Sequence, residues 1–261
     1  MSQGRTHEAV VGAQFGARAG AYLTSAVHAA GADLDALAAL VRDRPGARVL
    51  DLGSGGGHVS FAAAPHVGEV VACDLSPQML AVVARAAAER GLANVTTREG
   101  VAESLPFPDA SFDFVLSRYS AHHWRDLDAG LREVARVLKP EGIAGIVDSV
   151  SPGPARLDTF LQAIELLRDP SHVRSRPRAE WEAALAGAGL SVRGARGFRV
   201  RIEFGAWVER MGTPKVQADA IRALEAAMPE GVRSCFDIGP DGSFNLDVAL
   251  FEAVPRRGAL P

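Results

Sequence analysis

The chain has 261 residues, 48% of them hydrophobic, which is enough to bury a sizeable core as one α/β domain or two small domains. Its 28 basic and 31 acidic residues give a formal net charge of −3, which disfavours a protein that binds duplex nucleic acid. Two cysteines are too few for a disulfide framework, and we find neither an N-terminal signal region nor a membrane-length apolar run, so we expect a cytoplasmic protein without stable membrane insertion.

The predicted elements begin near residue 33 and alternate between helices and strands. A first helix, which ends before Pro45-Gly46, is predicted by four apolar residues at helical spacing: Leu34, Leu37, Leu40 and Val41. Short apolar runs predict five strands, at residues 48–51, 69–74, 94–100, 112–117 and 143–148. One intervening helix has Ser76 as its N-cap and Pro77 at its first position. Another begins near Leu127 and ends at a predicted turn over residues 139–142.

The pattern breaks at the Pro-rich residues 151–154. The elements predicted after it are helices at 155–168 and 178–187, a strand at 191–204, a helix at 214–228 and a strand at 246–254. Five strands separated by helices imply a parallel sheet covered on both faces, because parallel neighbours need crossover connections. Right-handed crossovers make such a sheet doubly wound.

The loop after the first strand is rich in glycine, and residues 49–58 read VLDLGSGGGH. Ligands of doubly wound sheets bind beyond the carboxyl ends of the strands, and glycine lets ligand atoms approach the backbone there. The glycines form G-x-G-x-G rather than the dinucleotide fingerprint G-x-G-x-x-G, because His58 stands at the third position. Asp74 ends the second strand, where it could accept two hydrogen bonds from a ribose diol. A dinucleotide and an adenosyl cofactor both carry such a diol, so Asp74 does not distinguish them.

Four segments occur in one order along the chain: VLDLGSGGG, VVACDLSPQML, AESLPFPDASFDFVLSRYSAHHW and LREVARVLKPEG. Together they resemble the class I S-adenosylmethionine-dependent methyltransferases, most closely the small-molecule subgroup (methyltransferase type 11) that includes ubiquinone and menaquinone methylases. The resemblance runs from about Arg48 to Asp148 and is weaker across Gln14 to Asp35. It implies an enzyme that uses S-adenosyl-L-methionine. The fold we expect is α/β: a doubly wound, Rossmann-like, mostly parallel seven-stranded sheet with an antiparallel final strand.

The expected organisation is a single methyltransferase domain over residues 1–261. Its parts are an N-terminal lid segment (1–32), a cofactor-binding core (33–150), a helical cap insertion (151–190), and strands and a helix that complete the sheet (191–261). Within the lid, residues 10–30 carry Phe15 and Tyr22, aromatic anchors that we expect to fold over a bound cofactor. An ordinary packing arm is the alternative.

The resemblance also implies which residues hold the cofactor: Asp51, Gly53, Gly55, Gly57, Asp74, Leu75, Met79, Val101, Ala102 and Ser117. The glycines would line its methionine part, Asp51 would orient its amino group, and Asp74 would hold the ribose. Leu75 and Met79 would pack on the adenine, although helical spacing is equally compatible with Met79 as plain core. Ala102 and the backbone around Ser117 would supply main-chain contacts. Val101 stands where relatives often carry an acid, so this position offers no carboxylate to the adenine amino group.

The expected reaction is in-line displacement of the methyl group by an O, N or C nucleophile of a small molecule, such as a quinone-like or phenolic compound. His122 and His123 after the fourth strand are candidate bases, because histidine titrates near neutral pH, and Tyr22 would face the reacting centre. His58 and Asp148 are further candidates. The two adjacent histidines are also compatible with a structural role. They lack an evident third partner for a metal, so no metal is expected.

The positions after the fourth strand contain no NPPY-like tetrapeptide, which argues for a small-molecule acceptor and against nucleic acid. Residues 171–176 carry two arginines that either lie in a solvated loop or dock an anionic acceptor. The rival hypotheses are an NAD(P)-dependent oxidoreductase and a non-catalytic cofactor-binding regulatory protein. The shifted glycine disfavours the first, as does His123 where a Tyr-x-x-x-Lys pair starting at Tyr119 needs lysine. The pattern contains no indication of the oligomeric state.

Overall fold

The computed structural model describes residues 6–16 and 30–256. Their main feature is a sheet in the order β3-β2-β1-β4-β5-β7-β6. Its strands are β1 (Arg44–Leu52), β2 (Val67–Asp74), β3 (Val95–Glu99), β4 (Phe112–Arg118), β5 (Leu138–Ser151), β6 (Leu190–Ile202) and β7 (Phe244–Pro255). A two-residue strand, Arg176–Pro177, pairs with the end of β5.

Helices pack on both faces of the sheet, so its central strands are buried on both sides. The described helices are α1 (His7–Gly16), α2 (Ala32–Ala39), α3 (His58–Ala63), α4 (Pro77–Glu89), α5 (Leu127–Val137), α6 (Ala155–Arg168), α7 (Arg178–Gly187), α8 (Phe204–Met211), α9 (Lys215–Ala227) and α10 (Glu230–Phe236). Successive β1 residues pack in opposite directions, Val49 into the core with α2 and α6, and Leu50 into the core with α5 and α7. None of the helices in the described ranges is long and apolar enough to cross a membrane.

Strand direction confirms the predicted topology. β1 to β5 pair in parallel, whereas β7 runs antiparallel between β5 and β6, with Phe251 opposite Ile146 and Ala195. The carboxyl ends of β1, β2 and β4 therefore meet at one edge of the sheet. The predicted cap of α4 is also present, because the Ser76 hydroxyl accepts from the backbone N–H of Met79 at 3.3 Å.

Two local predictions were wrong. The expected turn over residues 139–142 lies inside β5, because Leu138 already pairs with Phe112 and the chain makes an irregular step before Ile143 pairs with Phe114. The short helices α8 and α10 were not predicted. Each has fewer than nine residues, too few for a clear period, and each is held by buried side chains such as Trp207 and Phe236.

Candidate functional site

A first cavity opens at the carboxyl ends of β1, β2 and β4 and measures about 1050 Å³ including its mouth. Eight of the ten predicted cofactor residues line it: Asp51, Gly53, Gly55, Asp74, Leu75, Met79, Val101 and Ala102. Gly57 and Ser117 do not line it, although the three residues that follow Ser117 in the chain, Arg118 to Ser120, do. Local sequence position thus brings most of the predicted set to one surface, as expected for the first crossover of a doubly wound sheet.

Asp74 ties the glycine loop to the start of α4. Its Oδ2 accepts from the Gly55 N–H at 2.9 Å, and its Oδ1 accepts from the Ser76 N–H at 2.9 Å. Burial raises the pKa of this carboxyl, while the backbone donors oppose the rise. Each carboxylate oxygen has a second acceptor position, so Asp74 can hold the loop and still accept two hydroxyl donors from the cavity.

Asp51 is almost completely buried, with 1% of its surface exposed. Its Oδ2 accepts from the Ser60 N–H at 2.9 Å and from the Ser60 hydroxyl at 2.7 Å. Burial raises the pKa of Asp51 to about 7, and the negative charge of Asp74 adds to the rise while the Ser60 bonds oppose it. A cationic group bound beside Asp51 would favour its ionised form.

Three of the four glycines of the loop, Gly53, Gly55 and Gly57, have positive φ but face different surroundings. At Gly53 (φ 69°) an added Cβ would overlap the Ser120 side chain, and at Gly57 (φ 82°) it would press on Phe61 and Val83. At Gly55 (φ 49°) an added Cβ would meet no protein atom within 4 Å. Gly57 therefore allows α3 to pack closely, whereas Gly55 leaves room for a ligand.

We expect Gly53→Ala and Gly55→Ala to differ. Both variants place a Cβ at positive φ, at a cost of roughly 1–2 kcal/mol. Only Gly53→Ala adds an overlap inside the protein, which costs roughly 1–3 kcal/mol more. Urea unfolding should therefore show the larger loss of stability in Gly53→Ala, while calorimetry should show weakened cofactor binding in the folded Gly55→Ala variant. Equal stability losses would contradict the assignment of Gly55 to the cavity surface.

A second cavity of about 620 Å³ adjoins the first, with Phe15, Tyr119 and His123 lining both. Its other apolar walls are Val200, Ile202, Trp207 and Leu246, and its other polar walls are His122, Ser149, Glu165, Arg168 and Arg210. Tyr119 lies at the junction with φ 53°, an uncommon conformation for a non-glycine residue. The Arg118 guanidinium lies 4.7 Å from the Tyr119 ring centre and donates to the buried Asp33 at 2.6 Å, so this strained turn is held from both sides.

His122 and Asp148 form a hydrogen-bonded pair in this cavity wall. The His122 Nδ1 lies 2.6 Å from the Asp148 Oδ1, and the His122 backbone N–H donates to the other carboxylate oxygen at 3.1 Å. Burial lowers the pKa of His122, but the charge and hydrogen bond of Asp148 outweigh burial, and the pKa lies above its usual 6.5. With Nδ1–H donated to Asp148, Nε2 is the nitrogen that can accept a proton.

His123 has different surroundings from its neighbour. Its Nδ1 lies 3.1 Å from the backbone carbonyl of Ser171, and its ring packs against the edge of Phe15. Burial and the nearby His122 lower the pKa of His123 well below 6.5, so this ring is neutral at neutral pH. His123 is thus suited to shaping the junction of the two cavities. The third predicted catalytic residue, Tyr22, lies outside the described residues.

The comparisons with known proteins identify the family. Residues 50–146 match the family model described as a methyltransferase domain. The chain is 48% identical to YafE of Escherichia coli over 197 residues, which cover 76% of this chain and 95% of YafE. It is 37% identical to YcgJ of Bacillus subtilis, described as a methyltransferase, over 247 residues that cover 93% of this chain and 98% of YcgJ. The chain belongs to the methyltransferase family.

Two further likenesses agree with this methyltransferase assignment. The crystal structure of YcgJ matches with a TM-score of 0.83 and 36% identity, covering 87% of this chain and 99% of that chain. A demethylmenaquinone methyltransferase of Chlorobaculum parvum is 37% identical over 106 residues, 40% of this chain and 42% of that protein. The protein is a class I S-adenosylmethionine-dependent methyltransferase, so the oxidoreductase and the non-catalytic alternatives are wrong.

The first cavity of this methyltransferase fits S-adenosylmethionine. Asp74 lines it with carboxylate oxygens that could accept from ribose hydroxyls, and Gly55 leaves open space beside it. Leu75 and Met79 supply apolar contact area, as expected for an adenine site. Val101 and Glu103 also line this cavity. The Glu103 Oε1 accepts from the backbone N–H of Asp126 at 3.1 Å. In residues 6–16 and 30–256, no group of three or more His, Cys, Asp or Glu side chains is placed to hold a metal ion.

The sequence reading missed the charged residues that α6 and α8 contribute to the second cavity of the methyltransferase. Glu165 and Arg168 lie on the buried face of α6 together with Leu161 and Ile164. Charged residues on an otherwise apolar helix face are the sequence feature that could have indicated their role. The arginines of the 171–176 segment line neither cavity. Arg174 instead pairs with Asp158 and Glu180, and Arg176 pairs with Glu180. The segment is solvated in part, because Arg174, Arg176 and Val173 are about a third or more exposed, whereas Ser171, His172 and Ser175 are buried.

Proposed function

We propose that this methyltransferase transfers the methyl group to a small-molecule acceptor held in the second cavity, with His122 as the base. The observation that supports the proposal best is the junction of the two cavities at Phe15, Tyr119 and His123. Eight of the residues predicted to hold the cofactor line the first cavity, and His122, backed by Asp148, lines the second. An acceptor in the second cavity would therefore lie next to the cofactor.

The residues that line the first cavity would bind the cofactor and orient it. Asp74 would accept hydrogen bonds from the ribose hydroxyls, Asp51 would face the cationic amino group, and Gly55 would provide a surface without a side chain. Bound S-adenosylmethionine supplies a methyl group on a positively charged sulfur, whose bonding electrons remain on the sulfur when the methyl leaves. Leu75 and Met79 give the adenine an apolar surface, which excludes water from that part of the cavity.

The residues on the acceptor side position the nucleophile and take its proton. His122 Nε2 accepts the proton of an O–H or N–H group as that atom forms its bond to the methyl carbon. Asp148 holds the imidazole in the required tautomer and stabilises the imidazolium that results. The aromatic and aliphatic walls favour a quinone-like or phenolic body over a highly polar one.

A small molecule is the acceptor that this cavity favours. Its volume of about 620 Å³ suits a compact organic molecule, and the net charge of −3 gives no electrostatic footprint for nucleic acid. A gel shift with duplex DNA or RNA that persists at physiological salt and depends on sequence would contradict this choice.

The test combines binding and transfer. Calorimetry should show that S-adenosylmethionine and S-adenosylhomocysteine compete for one site, and NADH should not displace them. Transfer of a radiolabelled methyl group should then be assayed across hydroquinones, phenols, aromatic amines and aromatic carboxylic acids. We expect transfer to at least one class. Cofactor binding without transfer to any class would contradict a small aromatic acceptor.

We further propose that α1 is part of a lid over both cavities. Phe15 lines both of them, His7 Nε2 lies 2.7 Å from the His123 carbonyl oxygen, and Gln14 donates to the Met211 carbonyl at 3.2 Å. Phe15 also packs against Met79 and Val82, so α1 lies directly over residues predicted to hold the cofactor.

Cofactor binding is therefore expected to slow hydrogen exchange in α1. Mass spectrometry should show more protection of residues 7–16 with saturating S-adenosylhomocysteine than without it, because a bound ligand adds contacts beneath the helix. The surface helix α9, which lines neither cavity, is the internal control and should exchange equally in both states. Equal protection of α1 in the two states would favour the packing-arm alternative.

A further inference from the structure

We propose that the methyl acceptor carries an anionic group, such as a carboxylate, on an apolar body, and that Arg168 and Arg210 hold this group in the second cavity. The inference rests on the proposed function and adds to it the chemical class of the acceptor. It follows from the geometry of one buried guanidinium, the balance of charge in the cavity wall and the position of the apolar residues.

Arg168 is held in place while one side of it lines the cavity. The residue is only 8% exposed, and its Nε donates to the Trp207 carbonyl at 3.1 Å. Its guanidinium lies 4.9 Å from the Trp207 ring centre, and its Nη1 is 3.7 Å from the Glu165 Oε2. This last distance is too long for a good hydrogen bond. The guanidinium fork is thus oriented by Trp207 and suited to pairing with the two oxygens of a carboxylate.

Among the described residues that line this cavity, the guanidinium groups outnumber the carboxylates. Arg168 and Arg210 both line it and carry guanidinium groups, whereas Glu165 is the only carboxylate among the described residues that line it. Burial raises the pKa of Glu165, against the lowering effect of Arg168, so ionisation of this acid is disfavoured. Asp148 lies behind the wall and is engaged by His122. An anion entering the cavity would therefore compensate positive charge in surroundings that screen it weakly.

The apolar residues indicate how such an acceptor would lie. Arg168, Arg210 and Trp207 line the second cavity alone, whereas Phe15 and Tyr119 line both cavities. The anionic group would thus sit away from the cofactor, and the nucleophilic atom would reach the junction. Ile202 and Leu246 supply apolar wall for the body between them.

The test uses matched pairs of probes that differ only in charge: benzoate and benzamide, 3-phenylpropionate and 3-phenylpropionamide, 1-naphthoate and 1-naphthamide. Calorimetry on the full chain saturated with S-adenosylhomocysteine should show at least one carboxylate binding tenfold or more tightly than its amide. Arg168→Gln and Arg210→Gln should each reduce that preference to less than threefold. The exposed Arg178→Gln, whose partner is Glu182 on the surface, should leave it unchanged.

The affinity for S-adenosylhomocysteine serves as the folding control, because Arg168 and Arg210 do not line the first cavity. If buried Arg168→Gln fails to fold, Arg210→Gln on the half-buried end of α8 carries the test. Equal binding of carboxylates and amides, or no binding of any probe, would overturn the inference while cofactor binding and methyl transfer stand. Absence of S-adenosylhomocysteine binding in the unmodified protein would overturn the proposed function and this inference with it.

Discussion

Asp74→Ala is expected to weaken binding of S-adenosylmethionine and S-adenosylhomocysteine by about a hundredfold or more. Hydrogen bonds to a charged group contribute ~1.5–3 kcal/mol each, so two lost ribose contacts amount to at least ~3 kcal/mol. A loss of about 1.4 kcal/mol corresponds to a tenfold change in affinity. The variant also releases the N–H groups of Gly55 and Ser76, which would loosen the glycine loop and add to the effect. Calorimetry at constant pH measures the change directly.

Two further variants separate ribose binding from general damage. Asp74→Asn keeps one acceptor oxygen and should lose less affinity than Asp74→Ala. Glu99→Ala is the matched control, because Glu99 stands opposite Asp74 in the register of β2 and β3 but is exposed and lines neither cavity. Its affinity should stay within about threefold of the unmodified protein. A similarly small change in Asp74→Ala would show that Asp74 does not hold the ribose.

His122→Gln is expected to reduce kcat/KM for an acceptor with an O–H or N–H nucleophile by about 10²–10⁴-fold, the usual contribution of a positioned base. Its affinity for S-adenosylhomocysteine should change little, because His122 lines only the second cavity. His66→Gln is the matched control, since His66 lines neither cavity. Unchanged kcat/KM in His122→Gln would mean that the acceptor reacts without a base.

The pH profile distinguishes proton transfer from a structural role of His122. A base must be unprotonated, and Asp148 holds the pKa of His122 above 6.5, so kcat/KM should fall as the pH is lowered through that raised value. Asp148→Asn removes the charge that raises this pKa and should move the acid limb to lower pH. Its carboxamide oxygen can still accept one of the backbone bonds. An acid limb that stays in place in Asp148→Asn would assign it to another group.

The prediction for Arg168 and those for Asp74 and His122 test different parts of one arrangement. The proposals assign cofactor affinity to Asp74, turnover to His122 and the choice between charged and neutral acceptors to Arg168. Variants in the three positions should therefore separate cleanly when cofactor binding, kcat/KM and probe selectivity are measured on the same preparations.

Local signals in the sequence determined the cofactor side of the protein. The short apolar runs set the strands, Ser76 and Pro77 set the start of α4, and a parallel first crossover places the loop after β1 beside the end of β2. Asp51, Gly55 and Asp74 lie close to these signals along the chain, so strand order alone brings them to one edge. Gly57 shows the limit of the pattern, because the same residue type in the same loop serves helix packing instead.

Only the tertiary structure decided the arrangement of the second cavity, the proposed acceptor site. It joins His122 to Asp148 across 26 positions of sequence and Arg168 to Trp207 across 39. Such pairs depend on how the helices that cap the sheet fill space, which follows from side-chain shape and volume and has no repeat along the chain. The pKa values of the two histidines also depend on the tertiary structure. Asp148 raises the pKa of His122 against the effect of burial, whereas burial and the nearby His122 lower the pKa of His123. The sequence could place two histidines at the end of β4, but only their three-dimensional surroundings make one of them suited to accept a proton.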